Sequence, residues 1–348
     1  MLTLPDLTPL LAWYEESKRD LPWRHTKDPY RIWVSEIMLQ QTRVEAVLPY
    51  YRRFLDTLPT VKALAEAPAD LLLKLWEGLG YYSRVRNMQR AANSIMTEHG
   101  GNFPDTYEDI RALCGIGDYT AGAIASFAFG LPHPAVDGNV LRVTARLLAF
   151  TENILAPASK KLLTAAVAKE LAGHAPDVFN QALMELGATV CLPNGTPKCE
   201  VCPLADRCQA RMLGKTDTIP LRAKPAPRKK EARTVLILRI NDTVVLRKRP
   251  ETGLLSGLFE PLCLDGKQTT AEVAATLQGM GLSPLRIAPI GEAKHIFTHL
   301  EWHMTGFEVQ LDICDAAKLP DGCFLAPREE IDTRYALPSA YRFYRPYL

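Results

Sequence analysis

With 348 residues the chain is too long for one typical compact core, so we expect two domains. Its 47% hydrophobic and 23% charged residues are ordinary for a soluble globular protein, and its longest apolar run, around residues 121–131, is too short to span a bilayer. The net charge of +2 neither requires nor excludes a polyanionic partner, because a local basic patch can bind one whatever the total charge. The first residues lack a basic region and a small-residue cleavage site, so we expect no secretory signal and a reducing, cytoplasmic compartment.

Residues 6–210 show apolar side chains at helical spacing almost throughout, with very little strand alternation. Two examples are "IWVSEIMLQQTRVEAVLPYYRRFL" at 32–55 and "DVFNQALMELGATVC" at 177–191. Several of these runs begin after an Asp or Thr, residues that commonly cap helices. The pattern predicts an all-α domain over residues 1–221.

Glu36 lies within the first of these runs, among large apolar residues. A carboxyl group in such surroundings has a raised pKa and can stay protonated near neutrality, as a general acid must. An amphipathic helix could equally place Glu36 on its water-facing side, and the spacing alone does not separate the two interpretations. The neighbouring apolar residues are Trp33, Val34, Ile37 and Met38.

The stretch "LCGIGDYTAGAI" at 113–124 places Gly115 and Gly117 between two helical patterns, with Tyr119 just inside the second. Glycines allow a tight turn, so that N–H groups at the start of the second helix face outward and can hold a phosphate without reading sequence. Glycine turns between packed helices also occur in proteins that bind no nucleic acid. The stretch therefore favours a helix-hairpin-helix near 111–125 without requiring it.

Asp137 precedes the helical pattern that begins near Asn139. An N-cap or an Asp-Gly turn explains it, and a helix N-terminus also favours an ionised carboxylate that faces developing positive charge. One neutral acid and one carboxylate form the pair needed to cleave a glycosidic bond through an oxocarbenium-like state. Glu36 and Asp137 are far apart in sequence, so spacing cannot show that they meet.

Four cysteines form a C-x7-C-x2-C-x5-C run: Cys191, Cys199, Cys202 and Cys208. Four clustered thiolates can bind structural zinc or a 4Fe–4S cluster. Zinc ribbons usually pair two C-x2-C knuckles across a long gap, whereas this run holds one knuckle in a compact loop. The run at 191–208 therefore predicts a metal site and favours one 4Fe–4S cluster over zinc.

The composition changes at "RAKPAPRKKEAR", residues 222–233, which contain six basic residues against one acid and predict a stiff basic linker. Short β-branched runs follow, among them "TVLILRI" at 234–240 and "HMTGFEVQL" at 303–311, with one helical stretch at 270–280. The pattern predicts an α+β domain over residues 234–348.

Several motifs together resemble one family. The glycine stretch, "VDGNV" at 136–140 and a four-cysteine loop ending in "CPLADRC" resemble the endonuclease III superfamily of DNA glycosylases. Within it, "LPWR" at 21–24, "WVSEIMLQQT" at 33–42 and "GLGYYSRVRN" at 78–87 are similar to adenine DNA glycosylases of the MutY type. The resemblance covers essentially the whole chain, including a C-terminal domain similar to Nudix folds.

The resemblance implies a monofunctional enzyme of base excision repair that removes adenine mispaired with 8-oxoguanine or guanine in duplex DNA. In the family's pattern Glu36 protonates adenine at N7 and then assists water, while Asp137 stabilises the sugar cation electrostatically or through a transient covalent bond. Asn139 and Tyr119 match positions that line the same site. The family also implies one 4Fe–4S cluster, action as a monomer, and association with the nucleoid if the source is bacterial.

Further residues match the family's DNA contacts. Leu21, Trp23 and Arg24 match the pocket for the extruded adenine, although a packing aromatic beside a surface arginine would also explain them. Gln41, Thr42 and Tyr81 match residues that wedge into the duplex, where we would otherwise expect a helix cap and a core tyrosine.

The C-terminal domain resembles a Nudix fold at "GLLSGLFEPL", residues 253–262, but the helical stretch that follows holds a single acid, so we expect no Mg-dependent hydrolysis. The family reads 8-oxoguanine with a Phe-Ser-His loop, and the match here is Phe297, Thr298 and His299. Thr298 keeps the hydroxyl and adds a methyl group. A second departure is the first cysteine spacing, which is seven residues where the family usually has six.

Three alternatives remain. A bifunctional glycosylase/lyase of the endonuclease III type needs an amine nucleophile, and Tyr119 stands where the lyase branch carries its catalytic lysine. A mismatch thymine glycosylase fits the helical domain but not the additional C-terminal domain. A non-catalytic iron–sulfur DNA-binding redox sensor would not need both Glu36 and Asp137.

Overall fold

The computed structural model describes residues 2–223 and 227–348, so part of the predicted linker lies outside the described residues. The chain forms two compact units. The first comprises Met1–Glu66 and Asn87–Lys224, and the second comprises Ala67–Arg86 and Pro225–Leu348. Residues 67–86, which the sequence predicts as part of the helical domain, thus belong to the same compact unit as the C-terminal part of the chain.

The N-terminal two thirds of the chain is helical. Its helices are α1 (Thr8–Ser17), α2 (Pro29–Leu39), α3 (Val44–Thr57), α4 (Val61–Glu66), α5 (Ala69–Leu75), α6 (Ser83–Glu98), α7 (Tyr107–Ala112), α8 (Asp118–Phe129), α9 (Gly138–Leu147), α10 (Pro157–Leu171), α11 (Pro176–Thr189) and α12 (Gln209–Met212). Helix α5 belongs to the second unit, and the boundary between the units falls within α6.

Local sequence explains where several helices begin. Asp28 caps α2 by accepting a hydrogen bond from the Tyr30 amide, and Pro29 occupies the first helical position, where no N–H is needed. Thr106 caps α7 in the same way. The apolar faces of α1, α9, α10 and α11 form one core, with Leu7, Leu10 and Phe179 fully buried.

The second unit is built on a six-stranded mixed sheet in the order β4-β5-β1-β3-β2-β6. The strands are β1 (Lys229–Ile240), β2 (Thr243–Lys248), β3 (Phe259–Asp265), β4 (Pro284–Ile296), β5 (Leu300–Leu311) and β6 (Cys323–Pro327). Strands β1 and β5 pair in parallel, and the other pairs are antiparallel. The unit also contains α13 (Thr270–Gly279), α14 (Ile331–Arg334) and a 3-10 segment at Ser339–Tyr347.

Both faces of this sheet are covered, which explains the continuous apolar run in β1. Val235 and Ile237 face one core, which the C-terminal segment closes with Tyr341 and Tyr344. The intervening Leu236 and Leu238 face the other core, which α13 closes. A strand buried on both faces loses the alternation typical of a half-exposed strand. The predicted fold class, an all-α part together with an α+β part, is confirmed.

Among the residues that the structure describes, no helix has both the length and the apolarity required to cross a membrane.

Candidate active site

Glu36 is buried in α2, with 2% of its surface exposed, so it does not lie on a water-facing side. The Tyr119 hydroxyl donates a hydrogen bond to its Oε2 atom over 2.5 Å. Burial raises the pKa of Glu36 to about 7, because the ionised form is poorly solvated there; the Tyr119 bond opposes this rise and the charge of Asp137 reinforces it. A carboxyl group with this pKa can exchange a proton near neutrality.

Tyr119 reaches Glu36 from the first turn of α8, directly after the glycine turn. Gly117 is the N-cap residue of α8, and Gly115 has a left-handed φ of 80°. A Cβ atom at Gly115 would lie 2.6 Å from the Asn87 Cβ atom, so only glycine fits this turn. Both glycines are exposed, and the first amides of α8 have no partner within the helix. Burial is the main cause that raises the pKa of Tyr119 well above 10, so it remains a neutral donor.

Asp137 caps α9, as the sequence allows. Its Oδ1 atom accepts hydrogen bonds from the amides of Asn139 and Val140, both over 2.8 Å, and its Oδ2 atom accepts one from the Asn139 side chain over 2.7 Å. Burial raises the pKa of Asp137 above its ordinary value, although these hydrogen bonds and nearby Arg142 oppose the rise. The N-cap position therefore supports the ionised carboxylate in a site that otherwise disfavours charge.

Two close approaches hold the Asp137 loop in position. A Cβ atom at Gly122, in α8, would lie 2.3 Å from the Pro134 carbonyl oxygen, so α8 packs directly against the backbone that leads to Asp137. A Cβ atom at Gly187, in α11, would lie 2.6 Å from the Asn139 Cβ atom. Small residues on two helices thus allow the start of α9 to lie deep in the first unit.

The side chains of Glu36, Tyr119, Asp137 and Asn139 line one cleft of about 1160 Å³ in the first unit. Other residues predicted to contact DNA or the adenine line the same cleft: Leu21, Trp23, Arg24, Gln41, Thr42 and Gly117. The structure thus brings together residues from the N-terminal segment, α2, α8 and α9 that are distant in sequence.

Sequence reasoning missed a buried carboxylate in this cleft, Glu185 of α11. Arg19 donates two hydrogen bonds of 2.8 Å to its two oxygens, and Arg24 donates one of 2.7 Å. Although burial opposes ionisation, the bonds from these two arginines hold the pKa of Glu185 at about 2. The signal was an acid among apolar residues in "NQALMELGATVC", the same signal that identified Glu36.

Gln41 and Tyr81 share an unusual backbone conformation. Gln41 follows α2 with a φ of 61°, and Tyr81 precedes α6 with a φ of 48°, although non-glycine residues seldom adopt this left-handed region. Tyr81 belongs to the second unit and is 50% exposed, so it is not a core residue. Strained, exposed residues of this kind concentrate at binding sites.

The predicted lesion loop, Phe297–His299, is the turn between β4 and β5. Phe297 is half-buried and packs its ring edge against Trp302, with ring centres 4.8 Å apart. Thr298 and His299 are exposed at the tip, and the Thr298 hydroxyl lies 2.8 Å from the Tyr81 hydroxyl. The structure thus brings Tyr81 and Thr298 together within the second unit.

The four clustered cysteines line a single cavity. Arg146 contacts two of them, because its Nη1 atom donates to the Cys191 sulfur over 3.2 Å and its carbonyl oxygen accepts from the Cys208 thiol over 3.5 Å. Burial raises the pKa of the Cys199 and Cys208 thiols and raises that of Cys202 to about 11. Within the described ranges, no group of three or more His, Cys, Asp or Glu side chains is arranged to hold a single metal ion.

The cysteine loop is connected to the cleft through Arg142 of α9. Its Nε atom donates to the Cys191 carbonyl oxygen and its Nη2 atom donates to the Asn139 side-chain oxygen, each over 2.8 Å. Asn139 in turn donates to Asp137. Hydrogen bonds therefore join the first cysteine of the loop to the carboxylate in the cleft.

Two families match this chain. Residues 34–171 match the HhH-GPD superfamily of base excision DNA repair proteins, and residues 233–344 match the NUDIX domain. Among curated proteins, "Adenine DNA glycosylase" of Buchnera aphidicola subsp. Baizongia pistaciae is 36% identical over 302 residues, which are 86% of this chain and 84% of the relative. The Homo sapiens protein of the same name is 33% identical over 400 residues, which are 97% of this chain and 73% of its own length.

Solved structures resemble the helical part. A thermostable thymine-DNA glycosylase superimposes with a TM-score of 0.53 and 29% identity, over 60% of this chain and 95% of its own. Endonuclease III in a non-covalent DNA complex superimposes with a TM-score of 0.51 and 20% identity, over 60% of this chain and 94% of its own, and so shares the fold.

Proposed function

Because the chain belongs to the adenine DNA glycosylase family, we propose that its cleft excises adenine paired with 8-oxoguanine or guanine in duplex DNA. The chain is a DNA glycosylase of base excision repair, and its C-terminal domain is Nudix-like. One observation carries the proposal: a buried carboxyl group with a pKa of about 7 lies in the same cleft as a second, N-capping carboxylate. This pair is the arrangement that cleavage of a glycosidic bond requires.

The first chemical step is a proton transfer. The adenine leaves the stack and enters the cleft, which costs least where the base is mispaired. Protonated Glu36 gives its proton to N7 of the adenine, so the bond between the base and C1′ of the sugar breaks with the electron pair going to the base. Tyr119 donates to one oxygen of Glu36 and so orients the carboxyl group.

The second step consumes water. The sugar is now an oxocarbenium-like cation, and the Asp137 carboxylate, which α9 holds in place, stabilises its charge electrostatically. Ionised Glu36 then takes a proton from the water that attacks C1′, which leaves an abasic site and restores the acid. The products are free adenine, which keeps the first proton, and an abasic sugar, which carries the hydroxyl group of the water on C1′.

The pocket for the base combines apolar and charged contacts. Leu21 and Trp23 offer apolar surface, and the Arg24 guanidinium offers hydrogen-bond donors that Glu185 orients. A buried ion pair of this kind stays in one geometry because separating it would leave a charge without a partner.

Other predicted residues serve DNA binding. The exposed glycine turn at Gly115 and Gly117 would hold one backbone phosphate at the start of α8. Gln41 and Thr42 at the cleft, and Tyr81 beside the Phe297–His299 turn, would contact the bases opposite the extruded adenine. Every group in the scheme comes from one chain, which supports action as a monomer, and a DNA substrate implies association with the nucleoid in a bacterial source.

The four cysteines fit a 4Fe–4S cluster. They surround one cavity, and the guanidinium groups of Arg146 and Arg211 line it and would offset the charge of four thiolates. Burial raises the thiol pKa of Cys199, Cys202 and Cys208 and favours their protonated forms, so a bound cluster would supply the stabilisation of the thiolate form. Cys191, Cys199, Cys202 and Cys208 would hold the cluster, whose contribution there is to fix the 191–208 loop beside Arg142.

The test uses duplexes that differ only in the base opposite adenine: 8-oxoguanine, guanine or thymine. We expect free adenine from the first two and an abasic strand that breaks only after base treatment. Glu36→Gln should release no adenine, while Glu16→Gln, which alters an exposed acid, should match the unaltered protein. A further duplex carries a thymine–guanine mispair. Release of thymine from it, or strand cleavage of any duplex without base treatment, would contradict the proposal.

A further inference from the structure

The turn at residues 76–82, which carries Tyr81, has no regular secondary structure to hold it. Gly78 and Gly80 have left-handed φ angles of 100° and 69°, next to the left-handed Tyr81. Within the turn, the Trp76 ring nitrogen donates to the Gly80 carbonyl oxygen over 3.1 Å, and Arg84 donates to the same oxygen and to that of Leu79. These bonds define the shape of the turn.

The carboxylate of Glu77 connects the turn to the C-terminal segment. Its Oε1 atom accepts from the Leu337 amide over 3.2 Å and from Arg345 Nη1 over 2.9 Å. Its Oε2 atom accepts from Lys74 Nζ over 2.5 Å, and the same ammonium donates to the Tyr335 carbonyl oxygen over 2.9 Å. The Glu77 side chain is only 14% exposed, so these charge-assisted bonds are shielded from water.

The C-terminal partners of Glu77 are themselves fixed to the sheet. Leu337 and Arg345 lie in the segment 335–345, where Ala340, Tyr341 and Tyr344 are buried in the core that covers one face of the sheet. The Tyr344 hydroxyl donates to the Met304 carbonyl oxygen in β5 over 3.2 Å. Strand β5 begins directly after the Phe297–His299 turn, so the segment that holds Glu77 is bonded to the strand that carries the lesion loop.

At its other end the turn meets the lesion loop, through the hydroxyl contact between Tyr81 and Thr298. That contact is exposed and neutral, so it is too weak by itself to hold a strained turn in one place. We propose that Glu77 is a positioning residue: it ties the turn to the C-terminal segment so that Tyr81 stands beside Thr298 and both read the base opposite the adenine. This inference rests on the proposed function, because it assumes that Tyr81 and Thr298 contact that base.

The chemical groups of the cleft lie in the first unit and make no hydrogen bond to Glu77 among those described. Loss of the anchor should therefore weaken discrimination between 8-oxoguanine and guanine without changing the chemical step. A merely structural role would instead lower the thermal midpoint and both excision rates together.

The experiment compares single-turnover adenine excision, and binding of each duplex, for adenine opposite 8-oxoguanine and opposite guanine. Glu77→Gln keeps the size of the side chain and removes its charge, and Arg345→Met removes the partner. We expect each variant to lower the 8-oxoguanine-to-guanine preference at least threefold, with the rate opposite guanine within twofold of the unaltered protein. The double variant should lose no more than the worse single variant, because both remove the same contact.

Asp332→Asn is the matched control, since it removes the exposed partner of Arg345 and leaves the bond to Glu77 in place. It should keep the full preference. An unchanged preference in Glu77→Gln, or a parallel loss on both duplexes, overturns the positioning role while the adenine glycosylase assignment stands. If the unaltered protein releases no adenine, the proposed function itself fails.

Discussion

At the scale of a single residue, Glu36 must be protonated in the first proposed step and ionised in the second. Burial raises its pKa to about 7, which keeps a proton available, while the bond from Tyr119 stabilises the ionised form that must activate water. A carboxyl group with its ordinary pKa would be ionised at neutral pH and could not protonate the base. The environment of Glu36, rather than its identity, makes it suitable as an acid.

The pH dependence of excision should follow from this pair. Because Glu36 must be protonated, the single-turnover rate should fall about tenfold per pH unit well above 7. Because Asp137 must be ionised, the rate should also fall in acid. Tyr119→Phe removes the bond that lowers the pKa of Glu36, so the alkaline fall should move to higher pH. Rates measured from pH 5 to 9 check this, and a shift towards lower pH would contradict it.

Glu185 should matter through Arg24. Glu185→Gln leaves two guanidinium groups without a carboxylate, so we expect the excision rate to fall about 30-fold, or about 2 kcal/mol of transition-state stabilisation. Single-turnover excision with a thermal melt measures this. Glu170→Gln, which alters a half-buried acid of α10 paired with His174, is the control and should keep the rate. An equal loss of excision rate in Glu185→Gln and Glu170→Gln would contradict a specific role of Glu185 in holding the two arginines.

Sequence reasoning reached part of this site, and the reason is physical. Glu36, Tyr119 and Asp137 stand beside motifs, so a resemblance could locate them, but whether Glu36 was buried depended on which helix face turned inward. Glu185 and Arg19 belong to no such motif. Their pairing depends on the packing of α11 against the N-terminal segment, and helical spacing does not give that contact.

At the scale of the element, Gly187 of α11 allows α11 and the start of α9 to pack closely together. It places α11 against Asn139, whose side chain links Asp137 to Arg142 and so to the Cys191 loop. The helices themselves were predictable from their apolar spacing and caps. This close approach was not, since a glycine inside a helical pattern predicts only a weaker helix.

Gly187→Ala should therefore damage the site more than the fold. The added Cβ atom would lie 2.6 Å from the Asn139 Cβ atom, which must move and distort its bonds to Asp137. We expect stability to fall by about 1–3 kcal/mol, as in other overpacked cores, and excision to fall at least tenfold. Gly173→Ala, whose Cβ atom would meet nothing nearer than 3.9 Å, is the matched control for rate and thermal midpoint. Full activity in Gly187→Ala would contradict the role of this contact.

At the scale of the whole molecule, chain length predicted two domains, and helical spacing assigned residues 67–86 to the helical one. Their spacing is helical, so the sequence gives no sign that they contact the C-terminal segment. Glu77 and Lys74 make hydrogen bonds to residues 335–345, and those partners lie more than half the chain away. Local pattern predicts the type of an element, whereas contacts with residues distant in sequence determine the unit to which it belongs.

Glu36, the proposed catalytic acid, should also make the folded protein less stable as the pH rises from about 4.5 to about 7. Unfolded Glu36 titrates near 4.5 and folded Glu36 near 7, so between these values the folded state holds a proton that the unfolded state has released. The free energy of unfolding should therefore fall as pH rises through this window, by about 3 kcal/mol for a shift of this size.

Glu36→Gln removes this dependence, so the variant should be more stable than the unaltered protein at pH 8 and should lose that advantage towards pH 4.5. Denaturant unfolding at several pH values measures the difference, with Glu16→Gln as an exposed control. An equal change at pH 8 and pH 4.5 would show that the gain comes from packing and not from the proton.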